Sequence, residues 1–324
     1  MFIRVLGAAA GGGYPQWNCN HPNSRLARNK DSNAVKRTQS SVAVSLDKKK
    51  WFILNASPDL RQQLWENPEL MPAENDPLRY SPIMGVFLTN ADVDHTAGLI
   101  NLRESQAFNL YATERVINVL NSNSIFNVLN PKFVNKVPVK LDSYLELLNA
   151  DKTASGIKVK AFAVPGKVAL WLEDANKGPN FGSVDEDTIA LEICNEETGA
   201  SFFYIPACAY VPDWLKDKLN NTNLLFFDGT LWTDDEMIKQ KVGIKTGKRM
   251  GHISMSGEEG SLNIFKDVNY EELLLNNYTI KQVEELFNLN SLRYISIEKM
   301  LDTFNNNNFC TACFDGNYNK ELEW

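Results

Sequence analysis

The sequence contains no apolar stretch that approaches the roughly 20 residues needed for a membrane-spanning helix. It has no basic run longer than the three lysines at 48–50, and its formal net charge of −7 opposes a nucleic-acid-binding surface. Its five cysteines are scattered and odd in number, which does not indicate a disulfide framework. The residues from Met1 to Leu6 lead into a strand pattern and not into a signal peptide. We therefore expect a cytoplasmic protein with no membrane span and no nucleic-acid partner.

The chain does have enough apolar content for a large core, since 44% of its 324 residues are hydrophobic. Short apolar runs predict strands, and helical periodicity lies between them, for example after Pro58 and after His95. The runs lie at 2–6, 41–46, 51–54, 86–88, 202–205 and 224–227. This alternation predicts an α/β or α+β fold. The segment 167–187, rich in glycine, asparagine and acidic residues, predicts a long loop that could act as a lid.

The segment 88–99 carries the strongest chemical signal in the sequence. A strand pattern ends at Leu88 and places Asp94 and His95 just beyond its carboxyl end, where α/β proteins usually hold their sites. A carboxylate and an imidazole are suitable ligands for Zn²⁺ or Fe²⁺. The segment resembles the T-H-x-H-x-D-H motif of metallo-β-lactamases, but Asn90 and Asp92 stand at the two leading histidine positions. The absence of these two histidines predicts at most a mononuclear metal centre.

Six sequence blocks resemble, in the same order, the coenzyme PQQ biosynthesis protein B family, a divergent metallo-β-lactamase-fold family. They lie at 4–20, 37–41, 55–61, 94–99 with 102–104, 228–237 and 250–257. The resemblance covers residues 1 to about 266. It implies a four-layer αββα metallo-β-lactamase-like sandwich of the α/β (α+β) class. That family typically has the form T-D-A-x-x-D-H, so most of the departure at 90 and 92 is a family trait.

The resemblance implies a metal site built from Asp94, His95 and Asp228, the last of which closes another strand. His252 could substitute for a missing ligand or support the others, and all four are candidate catalytic residues. The family's His-Ile-Asn-Asn-Thr-Asn-Pro segment, which would supply a further ligand, is missing from this chain. We expect one divalent metal, Fe or Zn. The alternative is a metal-free fold in which Asp94 caps a helix and His95 packs.

A second cluster consists of Cys19, His21 and Ser24. The related family has C-x-C-x-x-C at these positions, and three thiolates usually indicate structural zinc. Here one thiolate and one imidazole remain, because serine is a poor zinc ligand. Cys19 and His21 are therefore candidates for a second metal site, and a plain loop turn is the alternative.

Five residues are candidates for binding substrate. Arg37, Arg61 and Arg103 could bind carboxylates, since a guanidinium pairs with them bidentately. Gln16 and Trp17 follow the glycine-rich end of the first strand and could line a pocket. Ordinary salt bridges would explain each arginine equally well. Aromatic packing in the core would equally explain Trp17.

The composition of the sequence changes near residue 267. The segment 271–324 is rich in asparagine and resembles the C-terminal end of amidophosphoribosyltransferase. A capping-box pattern at Thr279 and a potential cap at Ser296 predict two short helices. We therefore divide the chain into a metallo-β-lactamase-like domain, 1–266, and a helical appendage of different origin, 267–324.

The family resemblance implies a role in PQQ biosynthesis, with a small-molecule PQQ precursor as partner. In one hypothesis, iron activates oxygen to hydroxylate a tyrosine-derived precursor that carries several carboxylates. In another, the protein is a non-catalytic carrier that helps move PQQ or its precursor to the periplasm. A metal-dependent hydrolase comes third, because hydrolysis in this superfamily usually uses the two-metal set that positions 90 and 92 no longer supply. A homodimer is an open possibility.

Overall fold

The computed structural model describes residues 1–31, 34–177, 181–266, 268, 270–275 and 321–323. These residues form two compact units. The first contains Met1–Gly7, Thr38–Ser201 and the strand at 321–323, and the second contains Ala8–Arg37 and the described part of 202–318. Among the helices of the described ranges, none has the length and apolar character to cross a membrane.

Strands and helices alternate through the described part of the chain. The strands are β1 (Phe2–Gly7), β2 (Ser41–Ser45), β3 (Trp51–Leu54), β4 (Ile83–Phe87), β5 (Phe108–Thr113), β6 (Val134–Val139), β7 (Tyr144–Leu148), β8 (Ala154–Ala163), β9 (Ile189–Asn195), β10 (Ser201–Ile205), β11 (Thr222–Phe227), β12 (Tyr270–Leu275) and β13 (Glu321–Glu323). The α-helices are α1 (Pro22–Arg28), α2 (Leu60–Glu66), α3 (Val93–Thr96), α4 (Glu114–Ser122), α5 (Asp213–Leu219), α6 (Glu236–Lys239), α7 (Gly247–Met250) and α8 (Ser261–Phe265). Each apolar run that the sequence predicted to be a strand overlaps one of these strands.

The first unit contains a seven-stranded sheet in the order β13-β1-β2-β3-β4-β5-β6. Pairing is antiparallel from β13 to β3 and parallel from β3 to β6. Every residue of β3 and of β4 is buried, which is typical of parallel strands covered on both faces. Because β3 and β4 are parallel neighbours, their carboxyl ends lie side by side. The segments that follow Leu54 and Phe87 are therefore close together.

Helix α4 shows how local sequence fixes an element of this unit. The Thr113 hydroxyl caps the helix by accepting from the backbone N–H of Val116, at 3.2 Å. Val116, Val119 and Leu120 lie on the buried face of the helix and join the main hydrophobic cluster. The same unit contains β7, β8 and β9, which pair antiparallel in chain order.

The second unit contains three parallel strands in the order β10-β11-β12. The ring of Phe227, at the end of β11, meets Phe265 of α8 edge to face, with centroids 4.7 Å apart. Such aromatic pairs contribute beyond the area that they bury. Asp228 follows directly at the carboxyl end of β11, in a fully buried position.

Two described segments within the predicted helical appendage are strands. β12 lies at 270–275 beside β11, and β13 at 321–323 pairs antiparallel with β1. Backbone pairing with β11 and with β1 holds these two segments as strands. The two helices predicted to begin near Thr279 and Ser296 lie outside the described residues. The division of the chain at 266 and 267 stays a prediction.

Candidate functional site

Two polar side chains join the carboxyl ends of β3 and β4 in the first unit. The Asn55 amide donates to the Thr89 hydroxyl, and its Oδ1 accepts from the Thr89 backbone N–H, both at 2.9 Å. Asn55 is fully buried and has a left-handed backbone with φ of 61°. Asparagine tolerates that conformation better than most residues. The pair fixes the start of the segment that carries the candidate ligands.

Asn90 organises the turn that presents His95. Its Oδ1 accepts from the Asp92 backbone N–H at 3.0 Å and lies 2.7 Å from His95 Nδ1. The Asn90 backbone is held in an isolated antiparallel bridge with Thr188. Both Asn90 and His95 are buried, with 4% of their surface exposed. The imidazole therefore has a fixed neighbour on its Nδ1 side.

Asp94 differs from His95 in the surroundings of its side chain. It is half-buried, and its carboxylate makes no hydrogen bond or ion pair with any described residue. The alternative in which Asp94 serves as a helix cap does not hold, because α3 begins at Val93 and its N-cap residue is Asp92. Asp94 and His95 are thus neighbours in the chain that offer a carboxylate and an oriented imidazole, two donor types suited to a divalent metal.

Gly98 brings this turn against the segment that follows β3. Its backbone N–H donates to Ala56 O at 2.9 Å, and the Ala56 N–H donates to His95 O at 2.8 Å. A Cβ on Gly98 would lie only 2.0 Å from Ser57 O. Only glycine permits this close approach of the two backbones.

Asp92 connects the site to the predicted loop. Its Oδ1 accepts from the Leu170 backbone N–H at 3.1 Å and lies 3.9 Å from Lys167 Nζ. Lys167 also pairs with Glu173 at 3.5 Å. Between 167 and 187 the described residues contain only short 3₁₀ turns, which confirms the prediction of a long loop. Leu170 and Trp171 are exposed there, at 58% and 43%.

In the second unit, Asp228 is surrounded by hydrogen-bond donors. Its Oδ1 accepts from the Thr230 backbone N–H at 3.0 Å and from the Thr230 hydroxyl at 2.8 Å. Its Oδ2 accepts from the Cys208 backbone N–H at 3.0 Å and lies 2.7 Å from His252 Nδ1. Asp228 and His252 therefore form a carboxylate–imidazole pair.

Cys208 contacts Asp228 through its backbone N–H, but its thiol is unreactive. It is fully buried, and its thiol donates to Tyr210 O at 3.0 Å. Burial and, secondarily, the Asp228 charge raise the pKa of the Cys208 thiol far above its ordinary value. A thiolate is the reactive form of cysteine, so this residue is not suited to nucleophilic or ligand chemistry.

The predicted ligands belong to different units, Asp94 and His95 to the first and Asp228 and His252 to the second. Across the described residues, no group of three or more His, Cys, Asp or Glu side chains is arranged to hold a metal ion. Asp94 and His95 fit a metal by their chemistry, whereas Asp228 already accepts from several donors. The three-residue ligand set stays a prediction.

Protein contacts hold the second predicted metal cluster together. Ser24 Oγ donates to Cys19 Sγ at 3.1 Å, and His21 Nδ1 accepts from the Asn23 N–H as a cap of α1. Arg28 donates to Cys19 O at 2.7 Å, and Arg25 donates to Asn20 O at 2.8 Å. Burial and the nearby Arg25 charge lower the pKa of His21. These guanidinium groups oppose a further cation.

The candidate substrate-binding residues are spread over both units. In the first unit, Arg61 is exposed, while Arg103 donates to Ile100 O at 3.1 Å and lies 3.6 Å from Glu104. In the second unit, Arg37 is half-buried and its backbone pairs with Tyr14. Gln16 and Trp17 are exposed there, Trp17 at 87%, so core packing does not explain Trp17. Their roles in binding stay predictions.

Several residues that shape the site were not singled out from the sequence. Asn90 was interpreted only as a lost ligand, and the others are Asn55, Lys167 and Cys208. Asn55 carried a usable signal, because an asparagine directly after a buried strand favours a left-handed turn. Lys167 and Cys208 carried no such signal in the sequence, since their partners are distant along the chain.

Comparison with known proteins shows close relatives over most of the chain. The family model of the beta-lactamase superfamily domain matches residues 50–276, a range that includes β12. Coenzyme PQQ synthesis protein B of Bradyrhizobium diazoefficiens is 49% identical over 273 residues, covering 84% of this chain and 87% of the relative. The same protein of Rhodopseudomonas palustris is 48% identical over 272 residues, covering 84% and 87%.

A solved structure is also similar to this chain, in both sequence and fold. The crystal structure of Zn²⁺-bound PqqB from Methylobacterium extorquens is 46% identical and has a TM-score of 0.77, covering 83% of this chain and 86% of that one. The α/β metallo-β-lactamase fold predicted from the sequence is thereby confirmed. The chain belongs to the coenzyme PQQ synthesis protein B family of the beta-lactamase superfamily.

Proposed function

We propose that this chain acts in PQQ biosynthesis as a metal-dependent oxygenase that hydroxylates a tyrosine-derived precursor. The names of two relatives, at 49% and 48% identity, support a role in PQQ biosynthesis. The oriented His95 imidazole, which follows directly in the chain on an Asp94 carboxylate without a partner among the described residues, is the observation that supports the chemistry. A mononuclear site with imidazole and carboxylate ligands and open positions is typical of non-haem iron proteins that use O₂.

The residues present suit one divalent metal, with Fe as our proposal and Zn as the ion named in the related crystal structure. Asp94 and His95 would hold it, with Asp228 as the proposed third ligand. When bound, iron would supply the activation of O₂. The net reaction replaces one aromatic C–H bond by C–OH. One O₂ is consumed, its second oxygen atom leaves as water, and a reductant supplies two electrons and two protons.

The Asp228–His252 pair would take up and release protons during the reaction. The carboxylate lies 2.7 Å from His252 Nδ1 and can compensate the charge of a doubly protonated imidazole. The Thr230 hydroxyl donates to the other carboxylate oxygen and keeps Asp228 in place. His252 is partly exposed, at 25% of its side chain, so it can exchange its proton with substrate or solvent. We assign it the role of proton carrier.

Arg37, Arg61 and Arg103 would bind the carboxylates of the precursor, together with Gln16 and Trp17. Arg61 fits this role best, because its exposed guanidinium makes no ion pair within the described residues. Arg103 would first have to exchange its contact with Glu104 for substrate.

The test uses the full chain loaded with Fe²⁺ without oxygen and then mixed with a tyrosine–glutamate-derived precursor, a reductant and ¹⁸O₂. We expect mass spectrometry to show one ¹⁸O atom in the product. Asp94→Asn and His95→Gln should reduce the label to background, because each removes a ligand. Asp151→Asn changes an exposed carboxylate in the turn between β7 and β8 and should leave the label unchanged.

Two results would contradict the oxygenase. Label that comes from H₂¹⁸O and not from ¹⁸O₂ would indicate hydrolytic chemistry. Precursor binding that persists in both ligand variants, with no labelled product from any of the proteins, would identify a non-catalytic carrier.

A further inference from the structure

We propose that Asn90 is a positioning residue that fixes the tautomer of His95, so that the ring presents the lone pair of Nε2 as a ligand. This inference deepens the proposed metal function and rests on it. It starts from the position where the metallo-β-lactamase motif has a histidine. A neutral amide occupies that position here and contacts the neighbouring imidazole at 2.7 Å.

The orientation of the Asn90 amide follows from the backbone. A backbone N–H can only donate, and the Asp92 N–H points at one Asn90 side-chain atom from 3.0 Å. That atom must therefore be the carbonyl oxygen Oδ1. The same oxygen lies 2.7 Å from His95 Nδ1.

The tautomer of His95 follows from the amide. A carbonyl oxygen only accepts, so Nδ1 must carry the proton in that contact. In a neutral imidazole one nitrogen donates and the other accepts, and the lone pair is then left on Nε2. Metal-ligating histidines commonly use this arrangement, in which an acceptor on one ring nitrogen orients the other.

The surroundings make this arrangement rigid. Asn90 is 4% exposed and its backbone bridges Thr188, while the His95 carbonyl accepts from the Ala56 N–H. The amide adds no charge next to the ring. Asn90 thus orients His95 without placing a second anion beside Asp94.

The first measurement is the tautomer of His95 in the metal-free protein. The chain has only three histidines, so His21→Gln and His252→Gln assign the ring signals. At about pH 8, above the ordinary imidazole pKa of about 6.5, ¹H–¹⁵N correlations should show His95 protonated at Nδ1 alone. A wild-type ring protonated at Nε2 would overturn the proposal without any variant.

The second measurement compares variants by ring signals and by Zn²⁺ titration. Asn90→Leu removes the acceptor at similar volume, and we expect the single tautomer to be lost and Zn²⁺ affinity to fall by about 10- to 100-fold. Asn90→Asp keeps an acceptor for both donors and should keep the tautomer. Asn109→Leu is the matched control, because Asn109 is also buried but bonds to Leu148 O and Asn135. If Asn90→Leu does not fold, Asn90→Ala replaces it.

An unchanged His95 tautomer in Asn90→Leu would overturn the proposal, as would an equal loss of Zn²⁺ affinity in Asn109→Leu. Failure of the proposed function gives a different result. If wild-type protein has the Nδ1–H tautomer, Asn90→Leu loses it and no protein binds Zn²⁺, then the metal function is wrong and the positioning by Asn90 is supported.

Discussion

At the scale of single residues, Asp94 and Asp228 are both carboxylates that follow a strand, but their surroundings differ. Asp228 is fully buried and accepts from Thr230 and Cys208, whereas Asp94 has no hydrogen-bond partner among the described residues. The sequence pattern assigns the same ligand role to both. The structure indicates that Asp228 also stabilises the fold and that Asp94 does not.

We therefore expect Asp228→Asn to destabilise the protein and Asp94→Asn to leave its stability nearly unchanged. An amide at 228 would turn a donor toward the buried N–H of Cys208 or Thr230, and a buried donor without an acceptor costs about 1–3 kcal/mol. A substitution away from such contacts changes stability by about 0.5 kcal/mol or less. Urea unfolding of the metal-free proteins measures both free energies.

Asp151→Asn serves as the control for removal of one negative charge at a surface turn. Equal free energies of unfolding for the two site variants would show that the contacts around Asp228 add no stability.

At the scale of elements, the loop 167–187 is attached to the candidate site at a few points. Asp92 accepts from the Leu170 N–H and lies near Lys167, which also pairs with Glu173. The residue that replaces the second histidine of the metallo-β-lactamase motif therefore holds a loop. An attachment through one hydrogen bond from a backbone N–H to a carboxylate, together with ion pairs, is weak enough to open locally.

We predict that Asp92→Ala speeds hydrogen exchange at the Leu170 amide by about fivefold or more, since a hydrogen bond contributes about 1 kcal/mol. The substitution removes the acceptor for that N–H and one of the two carboxylates that lie near Lys167. Exchange measured by NMR or by mass spectrometry of loop peptides tests this. Asp185→Ala is the matched control, because Asp185 is exposed in the same loop.

The control variant should exchange at the wild-type rate. Unchanged protection of Leu170 in Asp92→Ala would mean that other contacts, such as the Ser183 hydroxyl bonded to the Val168 N–H at 2.7 Å, hold the loop alone.

At the scale of the whole molecule, imidazole ligands are scarce. The chain has three histidines, and none follows His252. The histidine-bearing segment that the family resemblance implies is missing from the sequence, while β12 at 270–275 pairs with β11. One of the ligands that the resemblance implies is therefore lacking.

We expect this chain to bind Zn²⁺ at least about tenfold more weakly than PqqB of Methylobacterium extorquens, because a tenfold change corresponds to only 1.4 kcal/mol and a lost ligand removes more than that. Competition with a chromophoric chelator at one pH and one salt concentration measures both affinities. Equal affinities would show that this chain obtains its full ligand set from other residues.

Local sequence was sufficient to predict six of the strands, among them the strand that precedes Asp94 and His95, and a helical segment after His95. The apolar runs at 51–54 and 86–88 became β3 and β4, because continuous burial of short runs requires sheet neighbours on both sides. Strand β12 shows the limit of this reasoning, because no local pattern predicted it. Residues 270–275 pair with β11, and the availability of a sheet edge is not encoded by local periodicity.

By itself the sequence determined the fold family, the strand that delivers Asp94 and His95, and the identity of the candidate ligands. Each of these rests on short blocks of sequence, within which the residues are neighbours in the chain. The tertiary structure decided what surrounds those ligands. Asn55 with Thr89, Leu170 with Asp92, and Cys208 with Asp228 are far apart in sequence and meet only when the strands assemble. Hydrogen bonds are short-ranged and directional, so folding alone determines which donor reaches which acceptor.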